Sequence, residues 1–381
     1  MPNQASEIVQ PRPTAQKILP LTSLRFLAAL FVVLYHLSSE VGWLERNNLL
    51  GRTVKLGYTS VPFFFVLSGF VLAVAYLKSD RLIHTRNFLI ARFARIYPAL
   101  FACLLLDLPH FVYTEVRISH HSMLRIAGEV LASFAAIEAW FSRTPLLDVP
   151  SWSIGAEFFF YLIFPFVAVS IWRMRAKYLW ILAVALYLSS NLVLWSFIRP
   201  GIDLFRLERN PISHVPEFLI GICLARLVHF TSQHLRWGTV VQRYSPIIAL
   251  LSVAAFLAIP ALALNIPETL LQHALLVPIF VGLIFAFSSG NKTIQTLFSP
   301  KWFVILGEAS FALYLVHMPV MMLCWHQIRR HQLWFPVVFC TIVVLLSVAS
   351  FFWLETPARM WILSRTHTRS REDLTTQAVA Q

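Results

Sequence analysis

The chain has 381 residues, of which 58% are hydrophobic, 14% aromatic and only 13% charged, with a mean hydropathy of +0.68. An average soluble domain carries roughly 25% charged residues, so a soluble monomer is excluded and a polytopic membrane protein is the starting point. The net charge of +13 comes from 31 Lys and Arg against 18 Asp and Glu. These basic residues lie between apolar runs and form no basic domain, which points to membrane topology and not to nucleic acid.

Residues 1–17 are polar, with Pro2, Pro11 and Pro13, and read as a disordered lead-in without the features of a cleaved signal peptide. Apolar segments long enough to cross a bilayer follow at about 20–38, 61–77, 94–113, 152–172, 178–198, 213–229, 246–264, 270–288, 304–326 and 333–354. The expected fold is therefore all-α with about ten transmembrane helices. An eleventh segment, about 125–141, is apolar but holds Glu129 and Glu138. With ten crossings and both termini cytoplasmic, most Lys and Arg fall on the inner side, including Arg86, Arg92, Arg95, Arg173, Arg175 and Arg359. An eleventh crossing would move every later loop to the other side and remove that bias, so 125–141 is expected to be an amphipathic or re-entrant segment on the outer side. The membrane domain is placed at 18–360 and a polar cytoplasmic tail at 361–381. Cys103, Cys223, Cys324 and Cys340 sit in apolar segments with no CxxC pair and imply neither a disulfide framework nor a metal site.

An ionisable side chain inside a span costs about 2.5–3.5 kcal/mol on insertion scales unless it faces a polar interior, so these residues carry the functional signal. Arg25 and His36 are 11 residues apart, close to three helical turns, and share one face with an axial offset of roughly 16 Å. His36 alone could be a hydrogen-bonded packing residue; Arg25 on the same stripe favours a polar cavity. Arg92 and Arg95 are i,i+3 neighbours at the start of the third span and serve either as ordinary inner-side anchors or as a fork-shaped phosphate site, with Tyr97 beside them. In the segment opening at Pro150, Trp152 suits an interfacial belt, Ser151 or Ser153 could cap the helix, and Glu157 lies a turn deeper among aromatics, where a carboxylate needs a partner. Tyr161 follows one turn later. Glu308 and His317 are nine residues apart, two and a half turns, which puts them on opposite faces of one helix. Tyr314 lies between them in sequence. Ser68 and Gly69 read by default as a small-residue contact between spans.

Together these residues resemble the integral-membrane acyltransferase-3 family, which transfers acyl groups, commonly acetyl, onto bacterial surface sugars and some small acceptors. The resemblance runs from about Leu19 to Met360. It rests on the spacing of Arg25 and His36 in Ser-Leu-Arg-Phe-Leu-Ala-Ala-Leu-Phe-Val-Val-Leu-Tyr-His, on Phe-Phe-Val-Leu-Ser-Gly-Phe at 64–70, and on Arg92-x-x-Arg95-Ile-Tyr-Pro. Further elements are Trp152-Ser-Ile-x-x-Glu157-x-x-Phe-Tyr161, Ala309-Ser-Phe-Ala-Leu-Tyr-Leu-x-His317-x-Pro319, and Glu355-Thr-Pro357. Thr22 stands where the family often has Asp, and Ser60-Val61-Pro62 where it often has Gly-Val-Asp. The esterase-like extension of some relatives is not seen, so the membrane module alone is expected.

The resemblance implies a membrane O-acyltransferase of the bacterial inner membrane, most simply an O-acetyltransferase, with acetyl-CoA as cytoplasmic co-substrate and no permanently bound cofactor or metal. The implied acceptor is a hydroxyl of a surface polysaccharide, an exopolysaccharide or its lipid-linked precursor; a macrolide or signalling oligosaccharide is the alternative. His36 is the expected general base or acyl carrier, Arg25 and Glu157 its catalytic companions, and Arg92, Arg95 and Tyr97 the acyl-CoA site. Ser68, Trp152, Ser153, Tyr161, Tyr314 and His317 are expected around the cavity or the acceptor. The rival class is a proton-coupled transporter using the same intramembrane groups, against which stands the absence of inverted-repeat symmetry or paired Gly/Pro-broken spans in the sequence.

Overall fold

The computed structural model describes residues 18–40, 48–77, 83–141, 147–198, 204–233, 235–264, 266–324 and 334–366, and among these the regular structure is entirely helical. The lead-in at 1–17 and the tail beyond 366 lie outside the described residues. Among the described residues nine helices are long and apolar enough to cross a membrane, and a bent pair, taken as one span, makes a tenth. The long elements are α1 (Leu19–Glu40), α2 (Leu49–Lys55) running through a 3-10 turn (Leu56–Thr59) into α3 (Ser60–Tyr76), α4 (Thr85–Arg117), α7 (Ser151–Trp172) and α8 (Ala176–Phe197). After them come α10 (Val215–Ser232), entered through a 3-10 turn at Pro211–His214, α11 (Leu235–Ala261), α15 (Lys301–Leu323) and α16 (Phe335–Ser350), which continues through a π-helical turn at Phe351–Glu355. The short elements are α5 (Met123–Phe134), α6 (Glu138–Phe141), α9 (Leu204–Arg209), α12 (Glu268–Leu271), α13 (Val277–Ser288) and α14 (Lys292–Phe298).

Three expected boundaries move. The second span begins at Leu49, because α2 and the 3-10 turn extend the apolar helix despite Arg52 and Lys55. The span expected at 270–288 is broken: Ala274–Ser288 and Lys292–Phe298 meet at 95°, at a joint where Gly290 takes the left-handed conformation (φ 78°). The helix of the last span, expected at 333–354, runs on to Thr366.

The 125–141 segment does not cross. α5 is 12 residues long, about 18 Å of helix against the roughly 30 Å of a bilayer core. It lies along α4, where the Phe134 carbonyl accepts a hydrogen bond from the Tyr97 hydroxyl at 3.0 Å. Tyr97 is 12 residues into the 33-residue α4, so the end of α5 lies beside the first half of that helix.

Close crossings fix the bundle. A Cβ on Gly221 of α10 would stand 2.0 Å from the Val66 carbonyl of α3, and one on Gly69 would stand 2.0 Å from the Phe218 carbonyl. Gly69 therefore makes the interhelical contact expected of it. Gly307 of α15 does the same against the Thr22 carbonyl of α1, at 2.0 Å. Since His317 meets His36 further along the same two helices, α1 and α15 run parallel. Between α3, α4, α7 and α10 the buried core is aromatic, with Phe160 stacked on Phe218 at 4.8 Å and Phe88 on Phe164 at 5.2 Å. Gly221→Val should lower the monodisperse fraction in gel filtration by about tenfold or more, because backbone meets backbone at that crossing and cannot yield. Gly128→Ala, with nothing within 4 Å of the added methyl, should leave it unchanged.

Candidate active site

Two cavities within the bundle share Val61 and Tyr314 as a common wall. The first is lined by Arg25 of α1, Ser68 of α3, Arg92 and Arg95 of α4, Ser153, Glu157 and Tyr161 of α7, and Tyr314 of α15, between apolar side chains such as Phe64, Leu72 and Phe311. Its carboxylate is well supported. Glu157 Oε1 accepts hydrogen bonds from the Ser68 hydroxyl at 3.1 Å and the Tyr161 hydroxyl at 2.5 Å. These two donors supply the partners that a carboxylate among aromatics requires.

The arginines form one electropositive end. Arg92 donates to the Tyr76 hydroxyl at 3.1 Å and lies over that ring, 5.4 Å from its centre. Arg95 pairs with Glu308 at 3.7 Å and opens also into a smaller adjoining pocket with Glu308, Glu355 and Arg359. Arg25 shares this field with Arg95, Glu308 and Glu157. Glu355, buried in the π-helical turn that ends the last span's apolar stretch, faces the same pocket. A single π turn in a helix often marks a functional site.

The second cavity holds His36 with Tyr35, Tyr58, Trp152, Glu208, Arg209, Gln272 and Tyr314. His36 Nδ1 lies 3.1 Å from His317 Nε2. One nitrogen of that pair must carry a proton and the other a lone pair, so the two rings cannot both be imidazolium while they share the bond. Tyr314 is anchored between the cavities: its hydroxyl is 2.8 Å from Ser153 Oγ and 3.4 Å from the Pro150 carbonyl. On the outer wall, burial pushes the Arg209 guanidinium down to about 10 and raises the Glu208 carboxyl, whose charge is eased by a hydrogen bond from Thr269. That wall is poorly hydrated, and polar groups on it interact strongly with whatever the cavity holds.

The expected residues sort clearly. Arg25, Ser68, Arg92, Arg95, Ser153, Glu157, Tyr161 and Tyr314 converge on the first cavity, while His36 and Trp152 line the second and His317 backs His36. His36 shares a hydrogen bond with His317, while Arg25 and Glu157 line the other cavity. Tyr97 does not line the first cavity: it opens on an adjoining lateral groove with Phe93, Trp140 and Phe158, which shares Arg92 and Tyr161 with that cavity. A residue two positions beyond Arg95 lies on a different helix face. Glu308 and His317 do take opposite directions, yet both face polar surroundings, at two levels of the bundle. Arg209, Tyr35, Tyr58 and Arg359 were missed. Arg209 sits in a loop helix, where a basic residue reads as topology, and Tyr35 was passed over beside His36.

Residues 20–354 match the sequence profile of the acyltransferase domain family. The chain is 26% identical to the peptidoglycan O-acetyltransferase OatA of Listeria monocytogenes over 91% of its own length and 56% of that protein's. It is 27% identical to the acyltransferase MdmB of Streptomyces mycarofaciens over 81% of itself and 80% of that protein. With the putative peptidoglycan O-acetyltransferase YrhL of Bacillus subtilis the identity is 24%, over 89% and 54%. The chain thus spans little more than half the length of the two peptidoglycan O-acetyltransferase relatives. No solved structure matches it.

Proposed function

The chain belongs to the acyltransferase domain family, and from that premise we propose that it moves an acetyl group from acetyl-CoA on the cytoplasmic side of a bacterial inner membrane to a sugar hydroxyl on the outer side. The observation that carries this reading is the pair of cavities meeting at Tyr314, one with an arginine cluster at its mouth and the other with an imidazole pair at its base. Arg92 and Arg95 suit the phosphates of a nucleotide-bearing donor, since guanidinium forks match phosphate oxygens bidentately. The apolar lining beyond them suits an extended thiol arm. The roughly 16 Å that separates Arg25 from His36 along α1 matches a donor whose reacting carbon lies far from its charged end.

At the junction, His36 removes the proton from the acceptor hydroxyl as its oxygen attacks the thioester carbon. The new C–O bond forms, the C–S bond breaks, and the leaving thiolate takes the proton back from the imidazolium. His317 orients the His36 ring. Arg25 lines the cavity that takes the donor, where Glu157 is held in place by the hydroxyls of Ser68 and Tyr161. The outer cavity, with Tyr35, Tyr58 and Trp152 beside Glu208, Arg209 and Gln272, combines aromatic faces with hydrogen-bonding groups, which suits a carbohydrate. Two relatives named as peptidoglycan O-acetyltransferases, one of them putative, support a cell-envelope glycan.

Mass spectrometry of envelope glycans from a deletion strain, the complemented strain and one carrying His36→Ala tests the reading. Acetyl groups absent from the first and third and restored in the second are expected. Identical glycans in all three strains overturn a glycan acceptor.

A further inference from the structure

Behind the outer cavity lies a cluster that no part of the proposed reaction uses. His214 ends the 3-10 turn before α10, Glu217 sits in the first turn of α10, and His273 occupies the bend after α12. All three are fully buried. One nitrogen or oxygen from each lies within 4.8 Å of the others, with Glu217 Oε1 3.8 Å from His214 Nδ1 and 3.9 Å from His273 Nδ1.

The contacts are wrong for a hydrogen-bonded cluster. Distances of 3.8 and 3.9 Å exceed any N–H···O bond. Both Glu217 oxygens, His214 Nδ1 and both His273 nitrogens have no hydrogen-bond partner among the described residues. His214 Nε2 lies 2.8 Å from the Glu208 carbonyl; a carbonyl only accepts, so Nε2 carries a proton, and in the neutral ring Nδ1 turns a lone pair toward the carboxylate. Lone pair against carboxylate, in a buried place, calls for a cation between them. A point equidistant from the three atoms lies roughly 2.2–2.5 Å from each, close to the 2.0–2.2 Å of zinc; the two imidazoles stack with centroids 4.3 Å apart and 20° between their planes, so one ring turns on binding to aim its Nδ1 lone pair at the ion. The bond from His214 to a backbone carbonyl is also the outer-sphere contact that orients metal-bound imidazoles.

We propose that His214, Glu217 and His273 bind a first-row divalent transition ion, zinc by preference, as a structural clamp. Two imidazoles and a carboxylate favour zinc over magnesium or calcium, which take oxygen ligands. The ion joins the entry to α10 to the bend before α13, two segments already tied by the Thr269 hydroxyl on Glu208 Oε1 at 2.7 Å. Glu208, Arg209 and Gln272 on those segments form the outer wall of the His36 cavity, and the His214 ring lies 5.5 Å from Trp152 and 4.9 Å from Phe65. The clamp therefore sets the shape of that cavity without touching the reacting atoms. The cluster escaped the sequence reading because its residues are spread over 60 positions and only i,i+3 spacing links the first two.

The test is elemental analysis of the full-length protein, purified in detergent without a polyhistidine tag and equilibrated with about 1 µM free zinc, where structural zinc sites are filled. About one zinc per chain is expected, falling at least about tenfold in Glu217→Gln and His273→Gln. A chelator should lower the melting temperature of the wild type, with zinc but not magnesium restoring it, and this arm stands even if the variants do not fold. Less than about a tenth of an ion per chain in the wild type, or a melting temperature indifferent to chelator and zinc, overturns the proposal.

Discussion

Alanine at His36 is expected to lower acetyl transfer by about 10²–10⁴-fold, the range a positioned general base contributes, while leaving the amount of folded protein in the membrane near normal. Folding should survive because His36 is only half-buried at a cavity wall, and truncation there opens space already lined by polar groups. The rate is read as thiol release from acetyl-CoA by purified protein supplied with envelope glycan, corrected for folded protein by gel filtration. A rate within about threefold of wild type would remove His36 from the chemistry. His317→Ala makes the stronger test of the geometry. His317 touches His36, not the reactants, so it acts by positioning, and its loss should shift the pH profile of the rate while leaving the KM for acetyl-CoA unchanged. The double variant should be little worse than His36→Ala alone, because two groups that act as one unit are not additive. Independent, multiplying losses would mean that the 3.1 Å contact has no part in catalysis.

Much of the architecture could be read from sequence because the bilayer makes hydropathy nearly decisive: a run of about 20 apolar residues must be a helix, and its backbone must bond to itself. That logic does not see breaks. The bend between Ser288 and Lys292 depends on a left-handed Gly290 within a polar Ser-Ser-Gly-Asn stretch, which reads equally as the end of a span. Arg25 and His36 were legible as one stripe because both lie on one straight helix, whose periodicity is a property of sequence. His317 was only half legible. Its spacing from Glu308 correctly opposes the two, but one helix cannot reveal that α1 meets His317 at one level while α4 meets Glu308 at another. Tyr97 was legible only as a neighbour in the motif; that it shares a lateral groove with Arg92 and lies outside the first cavity depends on α5 and α7 packing beside it. The pairing of Ser68 with Glu157, and the wall made by Arg209, depend on contacts between distant spans that no local pattern encodes.

Arg95→Ala is expected to raise the KM for acetyl-CoA by about 10–100-fold, the loss of one or two charge-assisted hydrogen bonds, with a smaller effect on the KM for the acceptor. Arg95 is the informative choice of the pair because it opens into both the main cavity and the pocket with Glu355 and Arg359, where a charged donor head would lie. Arg92 is already engaged with Tyr76, so its substitution would mix donor binding with loss of a helix contact. Arg95→Lys should recover little, since an ammonium is a point charge and cannot present the guanidinium fork. Removing Arg95 also takes its 3.7 Å ion pair away from Glu308, so Glu308→Gln in the Arg95→Ala background controls for that loss. A truncated donor separates recognition from folding. Acetyl-pantetheine lacks the nucleotide and its phosphates, and wild type and Arg95→Ala should use it equally poorly. If the variant instead loses activity by the same factor with acetyl-pantetheine as with acetyl-CoA, Arg95 supports the cavity without reading phosphate, and the nucleotide must bind elsewhere.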